Sequence, residues 1–277
     1  MMFPSRSTVI AIAAVLAVGA AMTVSTTGMA ADYQPRVGQE GKDVVWVPTA
    51  DSLVARMLDM AELKPGDRVV DLGSGDGRTV IAAAKRGFPA RGIEYNADLV
   101  ALSRRNAEAA GVADLARFEQ GDIFETDFSD ATVVTLFLLP ALNLRLRPIL
   151  LDMPPGTRII SNSFHMDEWQ SDDRVTVEGA CSTWCRAYKW VVPAKVEGRW
   201  RLGDDELVLR QSFQMLEGSL NRGGKVVDIA DARLDGTRIQ FTAGGRNYVG
   251  QVDGTTMRGS VNGRTAWSAT RLDQAAR

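Results

Sequence analysis

The stretch Val69-Val70-Asp71-Leu72-Gly73-Ser74-Gly75-Asp76-Gly77-Arg78 constrains the fold of this chain more than any other. An apolar run that stops at an acidic residue and enters a glycine-rich loop reads as a strand turning into a helix. Glycines at three alternate positions keep side-chain bulk out of the turn, so that backbone N–H groups can approach a bound ligand closely. The same alternation continues downstream. The pattern predicts a helix from Thr79 to Lys85, a strand from Ala90 to a carboxylate at Glu94, a helix from Ala97 to Ala110 and a strand from Ala116 to Gln120. Strands alternating with helices at this spacing build an α/β domain on a parallel sheet.

The loop chemistry narrows the ligand. The dinucleotide fingerprint places its third glycine one residue later, as G-x-G-x-x-G, whereas this chain has G-x-G-x-G behind an acidic strand end. That spacing favours S-adenosylmethionine over a nicotinamide dinucleotide. In this reading Gly73, Ser74, Gly75, Asp76 and Gly77 run along the methionine half of the ligand, and the Asp71 carboxylate suits its cationic charge. Glu94 lies about 20 residues past the glycines, where a strand-end carboxylate can accept from both ribose hydroxyls, with Tyr95 and Asn96 beside it. At Gly121-Asp122-Ile123, Asp122 can accept from the adenine amino group and Ile123 can pack on the ring.

With these residues in view, the region from about 44 to 165 resembles the class I S-adenosylmethionine-dependent methyltransferases. It is most similar to bacterial relatives of the mitochondrial ATP-synthase c-subunit lysine methyltransferase family. The matching pieces are Val47-Pro48-Thr49, Asp71 to Arg78, Ala82 to Gly87, Gly92-Ile93-Glu94-Tyr95-Asn96, Gly121-Asp122-Ile123 and Leu138-Leu139-Pro140. The resemblance implies a seven-stranded Rossmann-like sheet, S-adenosylmethionine as methyl donor and protein lysine as acceptor.

Before the glycine loop, Thr49 is expected to cap a helix with Leu53, Val54, Met57, Leu58 and Ala61 on one stripe, lying over the ligand pocket. After it, Thr132 to Leu138 is a continuous apolar run, as a parallel strand buried on both faces requires. It ends at Leu139-Pro140, where related N-methyltransferases carry a polar side chain that holds the acceptor nitrogen. Here that side chain is missing. Proline keeps Leu139 extended, so Leu138, Leu139 and Pro140 form the candidate acceptor loop, with main-chain carbonyls as acceptors. An apolar lining of Leu138, Leu139 and Phe164 would lower the pKa of a lysine entering it. A strand from Thr157 to Phe164 leads to Asp167-Glu168-Trp169, whose carboxylates either attract a lysine or are solvated. Residues 181–192 complete the sheet. His165, the only histidine, receives no role, and with two cysteines besides, no metal site is expected.

The first 31 residues are different in kind: one charge at Arg6, then an apolar and small-residue run from Val9 to Val24, then Gly28-Met29-Ala30-Ala31. This reads as a secretory signal peptide cut after Ala30 or Ala31, the alternative being an uncleaved anchor. The run is shorter than the roughly 20 residues that span a bilayer, so no stable membrane span is expected once the signal is removed. A periplasmic or secreted location follows. It also permits a Cys181–Cys185 disulfide, provided the chain bends there; otherwise the two thiols are small hydrophobes. Formal net charge is −2, without a long basic run, so nucleic acid is not expected as a partner and the acceptor is expected to be a protein or small molecule.

From about Lys195 the pattern becomes short alternating segments with turns at Asp235-Gly236, Gly244-Gly245, Asp253-Gly254 and Asn262-Gly263. Ile239, Phe241, Tyr248, Val252, Met257, Val261, Trp267 and Ala269 share one face, which predicts an antiparallel meander or small barrel. The expected organisation is therefore a signal peptide at 1–31, a methyltransferase domain at 32–194 and an all-β module at 195–277. The expected function is that of an exported methyltransferase acting on protein lysine or another amine. The alternative is a catalytically idle ligand-binding protein on the same fold.

Overall fold

The computed structural model describes residues 1–2, 33–179 and 181–272. Apart from Met1 and Met2, the leader expected over 1–31 lies outside the described residues, as does the end of the chain from 273. Among the described residues no helix is long and apolar enough to cross a membrane.

The α/β region runs α1 (Asp51–Met60), β1 (Val69–Leu72), α2 (Arg78–Lys85), β2 (Ala90–Glu94), α3 (Ala97–Ala109), β3 (Ala116–Gln120), β4 (Val133–Leu136), α4 (Pro140–Leu151), β5 (Arg158–Asn162), β6 (Asp173–Thr176) and β7 (Arg186–Val191). These strands form one seven-stranded sheet in the order β3-β2-β1-β4-β5-β7-β6, with β7 antiparallel to both β5 and β6. The sheet is Rossmann-like, as expected, and the forecast strand limits agree to within two residues except at the start of β7, where the forecast segment began at Cys181; β6 was not forecast.

Successive residues of the inner strands serve opposite faces. Val69, Val133 and Ile160 join a core with α1, α2 and α3, while Val70, Val134 and Ile159 join a second core with Leu146 and Leu150 of α4. Hence β1, β4 and β5 are buried at every position. Asn96 caps α3 by accepting from the Asp98 and Leu99 amides at 2.8 and 3.3 Å. Thr49 does not cap α1: the N-cap is Ala50, and the Thr49 hydroxyl instead accepts from Asn162 Nδ2 at 3.1 Å. Helix α4 is apolar on most sides and carries Pro148, so its pattern gave no separate forecast.

The C-terminal region is a closed eight-stranded antiparallel barrel of β8 (Gly198–Leu202), β9 (Asp205–Ser212), β10 (Met215–Arg222), β11 (Lys225–Asp235), β12 (Arg238–Ala243), β13 (Arg246–Asp253), β14 (Thr256–Val261) and β15 (Thr265–Arg271). β15 pairs with β8 and β9 with β10, which closes the ring and leaves no free edge. Two expected turns shift by one residue. Asp235 and Asp253 stay in the ladder opposite Arg238 and Thr256, and the left-handed φ falls on Gly236 and Gly254 at the first loop position. The interior is filled by Trp200, Phe241, Tyr248, Met257 and Trp267. Strand crossing there is close enough that a Cβ at Gly259 would sit 2.0 Å from the Val249 carbonyl oxygen.

Polar and aromatic contacts join the barrel to the sheet region. Phe213, in the β9–β10 turn, stacks on buried Trp169 with centroids 6.0 Å apart, Gln214 Nε2 donates to the Gln170 carbonyl at 2.8 Å, and Arg233 pairs with Asp172 at 3.2 Å.

Candidate functional site

Parallel strands present their C-terminal ends to one edge of a sheet, and the loops leaving β1, β2, β3, β4 and β5 converge there on a cavity. The glycine loop forms its floor. Gly73, Gly75 and Gly77 adopt φ of 74°, 54° and 83°, values that L side chains rarely take. The Gly73 and Ser74 amides donate to the Ile93 carbonyl at 2.9 and 3.1 Å, tying the loop to β2. Gly77 departs from the expectation: it does not line the cavity but caps α2, and a Cβ there would meet Phe118 at 2.7 Å. Its role is close packing of the helix.

Asp71, Gly73, Ser74, Gly75, Asp76, Glu94, Tyr95, Asn96, Asp122 and Ile123 all line the cavity, so the sequence reading gathers one site. Asp71 lies in β1 between Gly92 and Thr135 in the sheet register and accepts from the Thr135 hydroxyl at 2.6 Å. Burial pushes its carboxyl up to about 7, against the opposing effect of that hydrogen bond, and the nearby Glu94 charge adds to the rise. Glu94 accepts from the Gly75 amide on one oxygen and from the Asn96 amide on the other, both at 2.9 Å. Each oxygen keeps a second lone pair, so the carboxylate is oriented but not exhausted. Asp76 is held in an ion pair with Arg78 at 2.6 Å, and Arg78 also donates to the Thr49 carbonyl. Ser74 Oγ is buried without a hydrogen-bond partner among the described residues.

A short hairpin covers the site. The Gly41 amide donates to the Val44 carbonyl, Trp46 exchanges backbone hydrogen bonds with Gly38 and Gln39, and residues 39–49 line the cavity throughout. Lys42 pairs with Asp122 at 2.5 Å and stands 4.6 Å from the Tyr95 ring centroid. Its ammonium holds the Asp122 carboxyl below the usual range, with a further contribution from the Phe124 amide. Trp46 packs so closely that a Cβ at Gly75 would lie 2.8 Å from its indole nitrogen. The cover is therefore this hairpin and not α1, which contributes only Met57 and packs on α2, β5 and β7.

On the far side, Leu138 and Leu139 line the cavity while Pro140 starts α4. Leu139 is extended, with φ −62° and ψ 153°, as its proline requires. Its carbonyl is committed to the first turn of α4, accepting from Leu142 and Asn143 at 2.9 and 3.1 Å, which leaves Leu138 the better main-chain candidate of the two. Glu168 does not face the cavity; it pairs with Arg147 at 2.8 Å, and His165 Nδ1 accepts from the Asp167 amide. Phe164 lines the cavity together with Phe137 and Trp184, two residues that the sequence reading placed in strand segments without a role in the site. Cys181 and Cys185 are bridged, with Cα atoms 5.6 Å apart, because the chain bends between them and β7 begins only at Arg186. No group of His, Cys, Asp or Glu among the described residues could hold a metal ion.

Comparison with known proteins agrees on methyl transfer, while the relatives' names differ in the acceptor. Residues 71–173 match the ANTKMT methyltransferase domain. A protein-lysine N-methyltransferase of Saccharolobus islandicus (strain REY15A) is 41% identical over 138 residues, covering 49% of this chain and 86% of that protein. The ATP-synthase c-subunit lysine N-methyltransferase of Mus musculus is 39% identical over 140 residues, or 50% of this chain and 56% of that protein. A crystal structure of an RNA methyltransferase from Salinibacter ruber in complex with S-adenosyl-L-homocysteine is 49% identical, with a TM-score of 0.51, over 54% of this chain and 96% of that one.

Proposed function

The chain belongs to the ANTKMT methyltransferase family as an S-adenosylmethionine-dependent methyltransferase, and from that premise we propose that it is an exported enzyme whose acceptor is an amine, protein lysine first. The observation that carries the reading is the glycine loop locked to Glu94 at one end of a cavity and apolar residues at the other. When bound, S-adenosylmethionine supplies a methyl group on a sulfonium, which departs as a neutral thioether under attack by a nitrogen lone pair.

The residues fit that donor. Asp71 offers a buried negative charge for the cationic methionine end, and Ser74 Oγ has hydrogen-bonding capacity that no described protein group uses. Glu94 has lone pairs left for a ribose diol, and Asp122, steadied by Lys42, lies beside Ile123 for the base. Leu138 and Leu139 desolvate the nitrogen at the point of transfer, which favours the neutral amine that carries the nucleophilic lone pair, and Phe164 lines the cavity beside them. Orientation supplies most of the rest, worth about 7–11 kcal/mol in well-aligned systems. We assign 32–194 to the methyltransferase domain and 195–277 to an all-β module that recruits substrate or positions the enzyme. Export is supported by the leader over 1–31 and by the Cys181–Cys185 bridge, since such bridges persist in oxidising compartments.

The test is transfer of labelled methyl from S-adenosylmethionine to an envelope extract by the mature protein. Label on protein lysine is the expected result. Label in the RNA fraction would instead align this chain with the Salinibacter ruber protein, and S-adenosylhomocysteine binding without transfer to any fraction would favour the idle binding protein.

A further inference from the structure

Three aromatic side chains from three separate segments meet at one corner of the cavity. Phe137 follows β4, Phe164 follows β5, and Trp184 precedes β7; because β7 runs antiparallel to β5, all three reach the same sheet edge. Ring centroids are 6.1 Å apart for Phe137–Phe164, 6.2 Å for Phe137–Trp184 and 5.2 Å for Phe164–Trp184. The Trp184 plane is inclined 59° and 48° to the other two, so the rings form a corner and not a flat stack. Each is only partly buried, and Trp184 is 44% exposed.

Each ring is held there by something specific. The Phe164 carbonyl accepts from Ser161 Oγ at 2.7 Å and from buried Asn143 Nδ2 at 3.2 Å, which anchors that turn to β5 and α4. Phe137 is carried on the extension of the fully buried β4. Trp184 takes φ 59°, a conformation rare for a bulky residue, inside the loop that the Cys181–Cys185 bridge closes. At the base of the loop the Val177 amide donates to the Cys185 carbonyl at 2.8 Å, but among the described residues no backbone–backbone hydrogen bond is made by residues 181–184 themselves. Within the loop the bridge therefore keeps the chain bent, and an extended chain would carry the indole away from the other two rings. An exposed tryptophan held in a disfavoured backbone conformation against two phenylalanines, on the wall of a ligand cavity, points to a ligand that uses ring faces. Tryptophan faces attract cations most strongly, and ammonium groups carrying methyls fit such corners best.

We infer that Phe137, Phe164 and Trp184 form the acceptor subsite, an aromatic corner that takes an alkylammonium or methylated alkylammonium group, and that the Cys181–Cys185 disulfide holds Trp184 in it. This rests on the amine-acceptor reading of the cavity. It makes acceptor binding, but not cofactor binding, sensitive to reduction, since the Gly75–Glu94 contact joins the loop after β1 to the end of β2, whereas the disulfide loop precedes β7.

The experiment titrates mature protein, with S-adenosylhomocysteine present, against the amide of Nα-acetyl-trimethyllysine and against its neutral carbon isostere. The methyl proton resonance of each probe is followed by NMR, and S-adenosylhomocysteine affinity is measured in parallel by calorimetry. The cationic probe is expected to bind with an upfield methyl shift, and the isostere at least tenfold more weakly. Trp184→Leu and the double change Cys181→Ser, Cys185→Ser should each weaken the cationic probe at least tenfold, Trp184→Phe should retain part of the binding, and S-adenosylhomocysteine affinity should stay constant throughout. Equal binding of the two probes, or wild-type binding by Trp184→Leu, overturns the subsite. Wild-type binding by the cysteine variant overturns the role of the disulfide. Protein that binds the cationic probe but not S-adenosylhomocysteine overturns the methyltransferase reading and leaves the corner standing, whereas the reverse overturns the corner alone.

Discussion

The cavity edge of the sheet and the interior of the barrel treat polar groups in opposite ways. In the barrel, the Trp200 and Trp267 indoles donate to the Val196 and Val249 carbonyls at 2.8 and 3.1 Å, and the Tyr248 hydroxyl accepts from Arg222 at 2.8 Å. Aromatic bulk is buried and its polar tips are satisfied. At the cavity edge, a carboxylate is buried at Asp71, a hydroxyl is unpartnered at Ser74, and left-handed φ values fall at Gly73, Gly75 and Gly77. At these barrel positions the local rules are kept, and at the cavity edge they are broken where a ligand would complete them. Among the described residues, Asn143 Oδ1, Arg158 Nε and Trp169 Nε1 are also buried without a hydrogen-bond partner elsewhere in the sheet region.

The comparison breaks most visibly if the two regions cannot be separated. A protein ending after Ala194 is expected to fold and to bind S-adenosylhomocysteine, because both cores of the sheet region are built from its own residues and, among the described residues, Phe213 is the only apolar barrel side chain packed on them. It should be destabilised by on the order of 3–6 kcal/mol, as Trp169 and its neighbours lose cover. Thermal unfolding with and without ligand decides this. No cooperative transition and no ligand-induced shift, where the full mature chain has both, would mean that the regions share one core.

A second change sharpens the comparison on the site alone. Glu94→Ala removes the acceptor of the Gly75 and Asn96 amides together with the proposed ribose contacts. Two charge-assisted bonds at about 1.5 kcal/mol each predict a loss of roughly a hundredfold in S-adenosylhomocysteine affinity. Calorimetry giving equal affinity for variant and wild type would remove the ribose assignment.

What could be read in advance follows the same division. The cavity positions Gly73 to Asp76, Glu94 and Asp122 were legible because strand ends and glycine spacing are periodic, local signals, whereas Gly77, read as part of the ligand loop, packs against Phe118 instead. The barrel interior was legible from alternation at Ile239 to Ala269, although β8 and β10 were not, since polar residues such as Asn221 and Arg201 interrupt the pattern. The hairpin over the site was illegible for another reason. Residues 39–49 have no period, and their position is fixed by long-range partners, Lys42 on Asp122 and Trp46 on Gly75. Trp184 was hidden likewise, because only the bend forced between Cys181 and Cys185 brings it to Phe164.

The smallest effect concerns Asp71, where the two kinds of rule meet in one residue. Its folded-state pKa of about 7 lies above the ordinary carboxylate value, so its ionisation opposes folding of the ligand-free protein. That penalty is absent below about pH 4, grows as pH rises through the interval and is complete above about 7. Asp71→Asn, which keeps an oxygen for the Thr135 hydroxyl, should therefore raise the ligand-free melting temperature at pH 8 and leave it unchanged near pH 4. Binding should respond in the opposite sense. The ammonium of S-adenosylhomocysteine favours ionised Asp71, so wild-type affinity should fall below pH 7 by up to about tenfold per unit. The Asn variant should bind about tenfold more weakly at pH 8, with a flat profile between pH 5 and 8, where the ligand's own carboxylate and ammonium do not titrate. Calorimetry across that range, in two buffers of different ionisation enthalpy, counts the proton released as Asp71 ionises on binding. Identical pH profiles for wild type and Asp71→Asn would show that the buried carboxylate does not meet the ligand's charge.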